Sequence, residues 1–197
     1  MDKTLVLFDF DGTITTHDTM FELVKFYHGK NKFYQGMLVL LPRLLLFKAG
    51  LVQNQAMKEA FMTYFWRGTD NAEFERACKS FFENKLTLLL RSKAMEQLKE
   101  YVNKGYDVAV VSASAEDWVK PFCDAHSIKC LSSVLEREAN KITGKIKGIN
   151  CNGEEKVVRI KDAFDIKQYK HILAYGDSSG DKPMLQLATQ AYFKPFR

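Results

Sequence analysis

Two aspartates near the start of the chain directly follow an apolar run. Residues 5–8 read Leu-Val-Leu-Phe, and Asp9 and Asp11 come next, two positions apart, with Gly12 after them. A short apolar run ended by a turn residue is typical of a strand buried on both faces. Two close carboxylates repel each other, and Mg²⁺ relieves that repulsion when phosphate oxygens and water complete its ligands. The pattern therefore predicts a magnesium-assisted phosphate site, with aspartates that only cap the next turn as the simpler alternative.

A second apolar run ends in a small polar residue. Residues 106–111 predict another buried strand, and Ser112 and Ala113 open the loop into the next helix. Free backbone N–H groups at a helix start, together with a serine hydroxyl, can bind a phosphate. A serine that only caps the helix is the common alternative.

Lysine and aspartate side chains complete the set of candidate chemical groups. Lys156 stands in the first turn of a predicted helix, an unfavourable place for a cation unless an anion lies nearby. A lysine exposed to solvent is the simpler interpretation. Lys161 is a rival candidate, but Lys156 fits the Gly-x-Glu-Lys setting better. A third buried strand, residues 172–176, runs into Asp177, and Asp181 follows in the turn. These carboxylates are expected at the same sheet edge as Asp9, because ligands bind where parallel strands end.

Length, charge and cysteine usage limit the class of protein. The 197 residues suit one domain with a small insertion. The net charge of +5 is spread along the chain, so we expect no nucleic-acid partner. Four cysteines without metal-binding spacing indicate reduced thiols and a cytoplasmic location.

Residues 18–91 are helical in pattern, and their most apolar part is residues 37–47. That stretch is too short to span a bilayer, Arg43 interrupts it, and Pro42 would kink a helix or open a new one. Two interpretations remain: a helix buried in a small bundle, or a helix lying on a membrane surface with its leucines in lipid. We favour the buried helix, since apolar helices are mostly core.

Together these motifs identify a family by resemblance. Residues 9–13, Ser112, Lys156 and residues 176–181 resemble, in order and spacing, the four motifs of the haloacid dehalogenase superfamily of phosphatases. The resemblance covers essentially the whole chain. It implies an α/β fold with a doubly wound, mostly parallel, Rossmann-like sheet. The helical insert resembles the small cap of the subfamily that contains phosphoserine phosphatase, which implies a core of residues 1–15 and 93–197 and a cap of residues 16–92.

The resemblance also implies catalytic roles for the carboxylates, and the chemistry agrees. Asp9 is the expected nucleophile, which forms an aspartyl-phosphate. Asp11 is the expected general acid, then general base. The expected cofactor is Mg²⁺, held by Asp9, the backbone carbonyl of Asp11, and Asp177.

The remaining motif residues are expected to hold the phosphate. Ser112, Ala113 and Lys156 would bind the phosphoryl oxygens and stabilise their charge in the transition state. Asp181 would orient Lys156 or a metal-bound water. The expected enzyme is a phosphoric monoester hydrolase.

The substrate depends on the cap, where the sequence departs from phosphoserine phosphatases. Asp18 stands where they have a glutamate, and this chain reads Ser112-Ala-Ser-Ala-Glu where their second motif continues Ser-Gly-Gly-Phe. Asp18, Phe21 and Glu22 are expected to line the cleft between cap and core. We expect a small phosphorylated metabolite as substrate. The leucine-rich segment resembles the branch with a phosphatidylglycerophosphatase, so a lipid phosphate is the alternative; a non-catalytic phosphate-binding protein is the second.

Overall fold

The structure is a computed structural model and describes residues 3–197. Within that range the chain forms seven strands: β1 (Thr4–Phe8), β2 (Asp107–Ala115), β3 (Lys129–Ser133), β4 (Leu135–Glu138), β5 (Lys141–Ile146), β6 (His171–Gly176) and β7 (Gln190–Phe193). It also forms eight α-helices: α1 (Thr19–His28), α2 (Lys30–Lys48), α3 (Asn54–Trp66), α4 (Asn71–Asn84), α5 (Ser92–Asn103), α6 (Glu116–Ala125), α7 (Glu154–Ala163) and α8 (Lys182–Leu187).

Five strands build a parallel sheet in the order β3-β2-β1-β6-β7. Every residue of the central strand β1 is buried, because helices cover both faces. Val6 and Phe8 pack into the larger apolar cluster on one face, while Leu5 and Leu7 pack into the cluster on the other. The order reverses direction at β1 and β6, and the carboxyl ends of strands at such a point form a crevice that binds ligands. The predicted α/β fold is confirmed.

Helices α1–α4 form the insert between β1 and α5. Asp18 caps α1 by accepting a hydrogen bond from the Phe21 amide, and Asp70 caps α4. Strands β4 and β5 pair antiparallel, and this hairpin contacts the insert: Ile142 N donates to Thr69 O at 2.9 Å. The division into a core of residues 1–15 and 93–197 and a cap of residues 16–92 stays a prediction.

The preferred prediction for residues 37–47, a helix buried in the bundle, is wrong. Helix α2 runs unbroken through Pro42, and Leu38 and Leu45 are 71% and 58% exposed. The reason is that α2 packs on its neighbours through one narrow stripe. At Gly36 an added Cβ would lie 2.2 Å from the ring of Phe65, so α3 approaches closely there and leaves the opposite face uncovered. Among the described residues no helix has the length and hydropathy needed to cross a bilayer.

Candidate active site

Asp9 lies at the carboxyl end of β1, where its amide still bonds to Tyr175 O of β6 at 2.9 Å. Its side chain is buried, with Oδ1 accepting from Lys156 Nζ at 2.7 Å and Oδ2 from Thr13 Oγ1 at 3.2 Å. Burial raises the pKa of Asp9 to about 7 although Lys156 opposes the shift, and the charge of Asp181 adds to it. Asp9 is therefore a buried carboxyl group in a site with excess negative charge.

Lys156 reaches the same site from the first turn of α7. The residue is 1% exposed, and Nζ donates to Asp9 Oδ1 at 2.7 Å, Asp181 Oδ1 at 2.6 Å and Val111 O at 2.7 Å. Burial alone would lower the pKa of Lys156, but the two carboxylates outweigh it and raise the pKa. The rival Lys161 is exposed on α7. Lys156 is thus the lysine that the fold brings to the predicted site.

Asp181 holds Lys156 with a carboxylate whose two oxygens both accept hydrogen bonds. While Oδ1 accepts from Lys156, Oδ2 accepts from the Asp177 amide at 3.0 Å, the Ser178 amide at 2.9 Å and Ser178 Oγ at 2.8 Å. Burial would raise the pKa of Asp181, but Lys156 and these donors lower it below the usual range. Four donors leave Asp181 little capacity to bind another ligand.

Asp177 supplies the carboxylate that faces Asp9. Carboxylate oxygens of Asp9, Asp177 and Asp181 lie within 4.8 Å of one another. A Cβ on Gly12, where φ is +80°, would lie 2.4 Å from Asp177 Oδ2, so only glycine leaves room for this carboxylate. Asp177 also forms an ion pair with Arg197. Oxygen ligands are those that Mg²⁺ prefers, and because Asp181 is already saturated, Asp9 and Asp177 are the side chains that fit such an ion.

Asp11 is held in place by groups that sequence reasoning missed. Its Oδ1 accepts from the Thr19 amide at 2.7 Å and from Thr19 Oγ1 at 2.6 Å, and Oδ2 accepts from Ser114 Oγ at 2.5 Å. Trp118 Nε1 in turn donates to Thr19 Oγ1 at 3.0 Å. These contacts join residues up to 103 positions apart, and no local sequence pattern indicates them.

Ser112 and Ala113 line the site beside Asp9, but the second strand does not end at Ser112 as expected. Strand β2 continues to Ala115, with a shift in register after Ser112. Ser112 Oγ accepts from the Ser114 amide at 3.0 Å, so the chain turns tightly around the hydroxyl. The predicted loop is an irregular strand end, which keeps Ser112 and Ala113 at the cleft.

The cleft between the helical insert and the sheet has a volume of about 350 Å³. Lys58 of α3 enters it, with Nζ donating to Ala113 O at 2.5 Å. Desolvation lowers the pKa of Lys58, although the charges of Asp18 and Asp11 oppose that shift. Sequence reasoning missed Lys58, since a lysine on an amphipathic helix carries no signal of its own. The insert also contributes apolar side chains and one amide to the wall: Met20, Phe21, Met37, Leu44, Phe47, Met57 and Phe61, with Asn54.

Two of the three predicted cap residues line the cleft, and the third does not. Asp18 and Phe21 line the cleft. Desolvation there raises the pKa of Asp18 to about 6, and the charge of Asp11 adds to the effect. Glu22 is not brought into the cleft, because its carboxylate pairs with Lys25 at 2.7 Å and Lys85 at 3.7 Å.

Known proteins resemble this chain in sequence. A model of the haloacid dehalogenase-like hydrolase family matches residues 6–186. The chain belongs to this family. Protein CicA of Caulobacter vibrioides (strain NA1000 / CB15N) is similar, with 31% identity over 100% of this chain and 88% of CicA. A probable phosphatase of Mycobacterium tuberculosis (strain ATCC 25618 / H37Rv) is 27% identical over 96% of this chain and 68% of its own. The predicted membership and the predicted class of hydrolase are confirmed.

Solved structures share the haloacid dehalogenase-like fold. A protein of unknown function from Bordetella pertussis Tohama I superposes with a TM-score of 0.83 at 19% identity, covering 97% of this chain and 89% of that one. A substrate-bound phosphoserine phosphatase complex superposes with a TM-score of 0.73 at 20% identity, covering 98% and 86%. At these identities the likeness concerns the fold alone.

Proposed function

We propose that the protein is a Mg²⁺-dependent phosphatase that hydrolyses phosphomonoesters through an aspartyl-phosphate on Asp9. The observation that carries the proposal is the buried contact of Lys156 with both Asp9 and Asp181, beside Ser112. Burying a cation costs free energy unless anions pair with it, as Asp9 and Asp181 do here. Lys156 Nζ lies where a phosphoryl group would meet the nucleophile.

The nucleophile and the proton carrier are two positions apart in the chain. A carboxylate oxygen of Asp9 attacks the phosphorus, forming an O–P bond as the bond to the alkoxide leaving group breaks. Asp11 gives its proton to that alkoxide and then takes a proton from the water that hydrolyses the aspartyl-phosphate. Thr19 and Ser114 keep the Asp11 carboxylate in one orientation for both transfers.

Residues of β2 and α7 would bind the phosphate. Ser112 Oγ, the Ala113 amide and Lys156 Nζ would donate to the phosphoryl oxygens, whose charge they stabilise during transfer. Asp181 holds Lys156 in place. Asp9, Asp177 and the backbone carbonyl of Asp11 would hold Mg²⁺, which when bound neutralises phosphate charge and aligns the transfer.

The substrate proposed first is a small phosphorylated metabolite, with Asp18 and Lys58 as the charged groups that meet the part beyond the phosphate. A lipid phosphate is a second candidate, favoured by the apolar wall that Met37, Leu44 and Phe47 contribute to the cleft. A non-catalytic phosphate-binding role gives no chemical reason for the complete set of acid, base and cation groups.

Phosphate release from a generic phosphomonoester, para-nitrophenyl phosphate, tests the proposal. We expect hydrolysis with Mg²⁺ present and, after acid quenching and borohydride reduction, homoserine at position 9 in place of aspartate. Hydrolysis without any trapped intermediate would reject Asp9 as nucleophile, and no hydrolysis of any phosphomonoester would reject the phosphatase.

A further inference from the structure

Helix α2 carries an apolar surface that no described residue covers. Its outer face is formed by Leu38, Val39, Leu41, Leu45 and Leu46, which are all exposed. Helix positions advance by about 100° per residue, so these five side chains share one broad arc. The buried residues of the same helix lie on the opposite side: Phe33, Gly36 and Leu40. A continuous exposed apolar patch of this kind marks an interaction surface.

Cations border the outer face of α2 on both sides. Lys30 and Lys48 share one edge of the arc by helical position, and Lys32 and Arg43 share the other. All four side chains are exposed. The sequence has no acidic residue between Glu22 and Glu59. The surface therefore combines leucines at its centre with uncompensated positive charge at its edges.

We propose that the outer face of α2 docks on an anionic membrane surface, with its leucines in the lipid and its bordering cations at the headgroup phosphates. Helix α2 is apolar on one face, has cations at the borders of that face, and is not among helices long and apolar enough to span a bilayer. These are the features of a helix that lies in the membrane interface. Anionic lipids attract such basic residues. A second copy of the chain is a poorer occupant, because two such surfaces would bring cations together without acidic partners.

The same helix lines the active-site cleft. Met37, Leu44 and Phe47 of α2 border the cleft that contains Asp9. Docking of α2 therefore brings the cleft close to the bilayer. The consequence, preferential access to phosphomonoesters carried by lipids, rests on the proposed phosphatase function, whereas the docking itself does not.

Cosedimentation of the full chain with vesicles tests the docking. We expect binding to vesicles that contain phosphatidylglycerol, weaker binding to vesicles of phosphatidylcholine alone, and a loss of binding as salt rises. Leu45→Asp should weaken binding by about tenfold or more, because a leucine that would enter the lipid is lost and a negative charge is gained. Arg43→Gln should weaken it by about fivefold. Leu88→Asp is the matched control, since Leu88 is 75% exposed outside α2 and its change should have no effect.

Melting temperatures and hydrolysis of para-nitrophenyl phosphate, measured on the same variants without vesicles, separate docking from folding and from chemistry. If Leu45→Asp melts early, Leu38→Gln provides the same test. The docking proposal is wrong if wild type does not bind anionic vesicles at low salt, if Leu88→Asp weakens binding equally, or if a dimer in solution dissociates in Leu45→Asp. Vesicle binding without hydrolysis would reject the phosphatase proposal and support the docking proposal. Hydrolysis without vesicle binding would support the phosphatase proposal and reject the docking proposal.

Discussion

Asp9 and Lys156 lie 147 positions apart in the chain, and Lys156 Nζ donates a 2.7 Å hydrogen bond to Asp9 Oδ1 in a buried ion pair. Asp181 is a second anion on the same lysine at 2.6 Å. Lys156 and Arg197 are two cations for the three carboxylates of Asp9, Asp177 and Asp181, so the site keeps excess negative charge. That imbalance suits a site that binds a divalent cation, and it underlies the first three predictions.

Replacing Asp9 by asparagine should abolish turnover and leave the fold intact. The amide cannot attack phosphorus, so we expect kcat to fall about a thousandfold or more. The measurement is phosphate release from para-nitrophenyl phosphate, with the circular dichroism spectrum as a check of folding. Asp162→Asn, an exposed change on α7, is the control. Substantial activity in a folded Asp9→Asn protein would mean that the nucleophile lies elsewhere.

Removal of divalent cations should stop catalysis, and Mg²⁺ should restore it. Asp177→Ala should raise the Mg²⁺ concentration needed for half-maximal activity, because one oxygen ligand is lost. Titration of chelated protein with Mg²⁺ measures this for wild type and variant. Full activity in EDTA would show that the carboxylate cluster does not act through a metal.

Lys156→Met should both destabilise the protein and inactivate it. Removing the cation leaves Asp9 and Asp181 as buried carboxylates without their partner, and breaking a buried pair in this way costs about 3–5 kcal/mol. Urea unfolding measures the loss. Lys161→Met, on the same helix but exposed, should change the free energy of unfolding by less than about 0.5 kcal/mol. Equal effects of the two substitutions would contradict the assignment of Lys156.

Asp18→Asn should change substrate preference more than the basal reaction. Asp18 and Lys58 are charged groups in the cleft, and their hydrogen bonds go to the Phe21 amide and to Ala113 O. We expect kcat/KM to shift among phosphomonoesters whose remaining groups differ in charge, with para-nitrophenyl phosphate least affected. A panel of such esters is the measurement. Equal losses on every ester would instead indicate that Asp18 holds the catalytic loop.

His28 should make the insert sensitive to acid. Its ring packs against Trp66, with centroids 4.7 Å apart, and desolvation lowers the pKa of His28, with Lys32 adding to the shift. The unfolded chain then binds a proton more tightly than the folded one. The contribution of His28 to the free energy of unfolding is therefore fully present above the ordinary histidine pKa of about 6.5 and is lost as pH drops below it.

Replacing His28 by phenylalanine should make that fall shallower. Melting temperatures between pH 7.5 and pH 5.5, values on either side of about 6.5, give the comparison. The slope should not vanish, because burial also lowers the pKa of His126. His17→Gln, at an exposed position, is the control. An unchanged slope in His28→Phe would show that His28 does not couple protonation to folding.

The sequence by itself determined the fold class, the motif aspartates and the hydrolase family. Apolar runs that end in polar residues predicted β1, β2 and β6, because a strand buried on both faces must be continuous in its apolar side chains. The carboxyl ends of strands in a parallel sheet meet at one edge, so the sequence alone places Asp9, Ser112 and Asp177 close together. These inferences depend only on local patterns and on a general rule of topology.

Only the tertiary structure decided which side chains meet and which faces are covered. The contact of Lys156 with Asp9, the anchoring of Asp11 by Ser114 and the entry of Lys58 into the cleft beside Ala113 join residues far apart in the chain. The exposure of Leu45 was likewise set by packing, because Gly36 lets α3 approach one stripe of α2 and nothing in the described chain covers the other face. An apolar helix has the same sequence pattern whether protein or lipid covers it, so only its neighbours can distinguish the two.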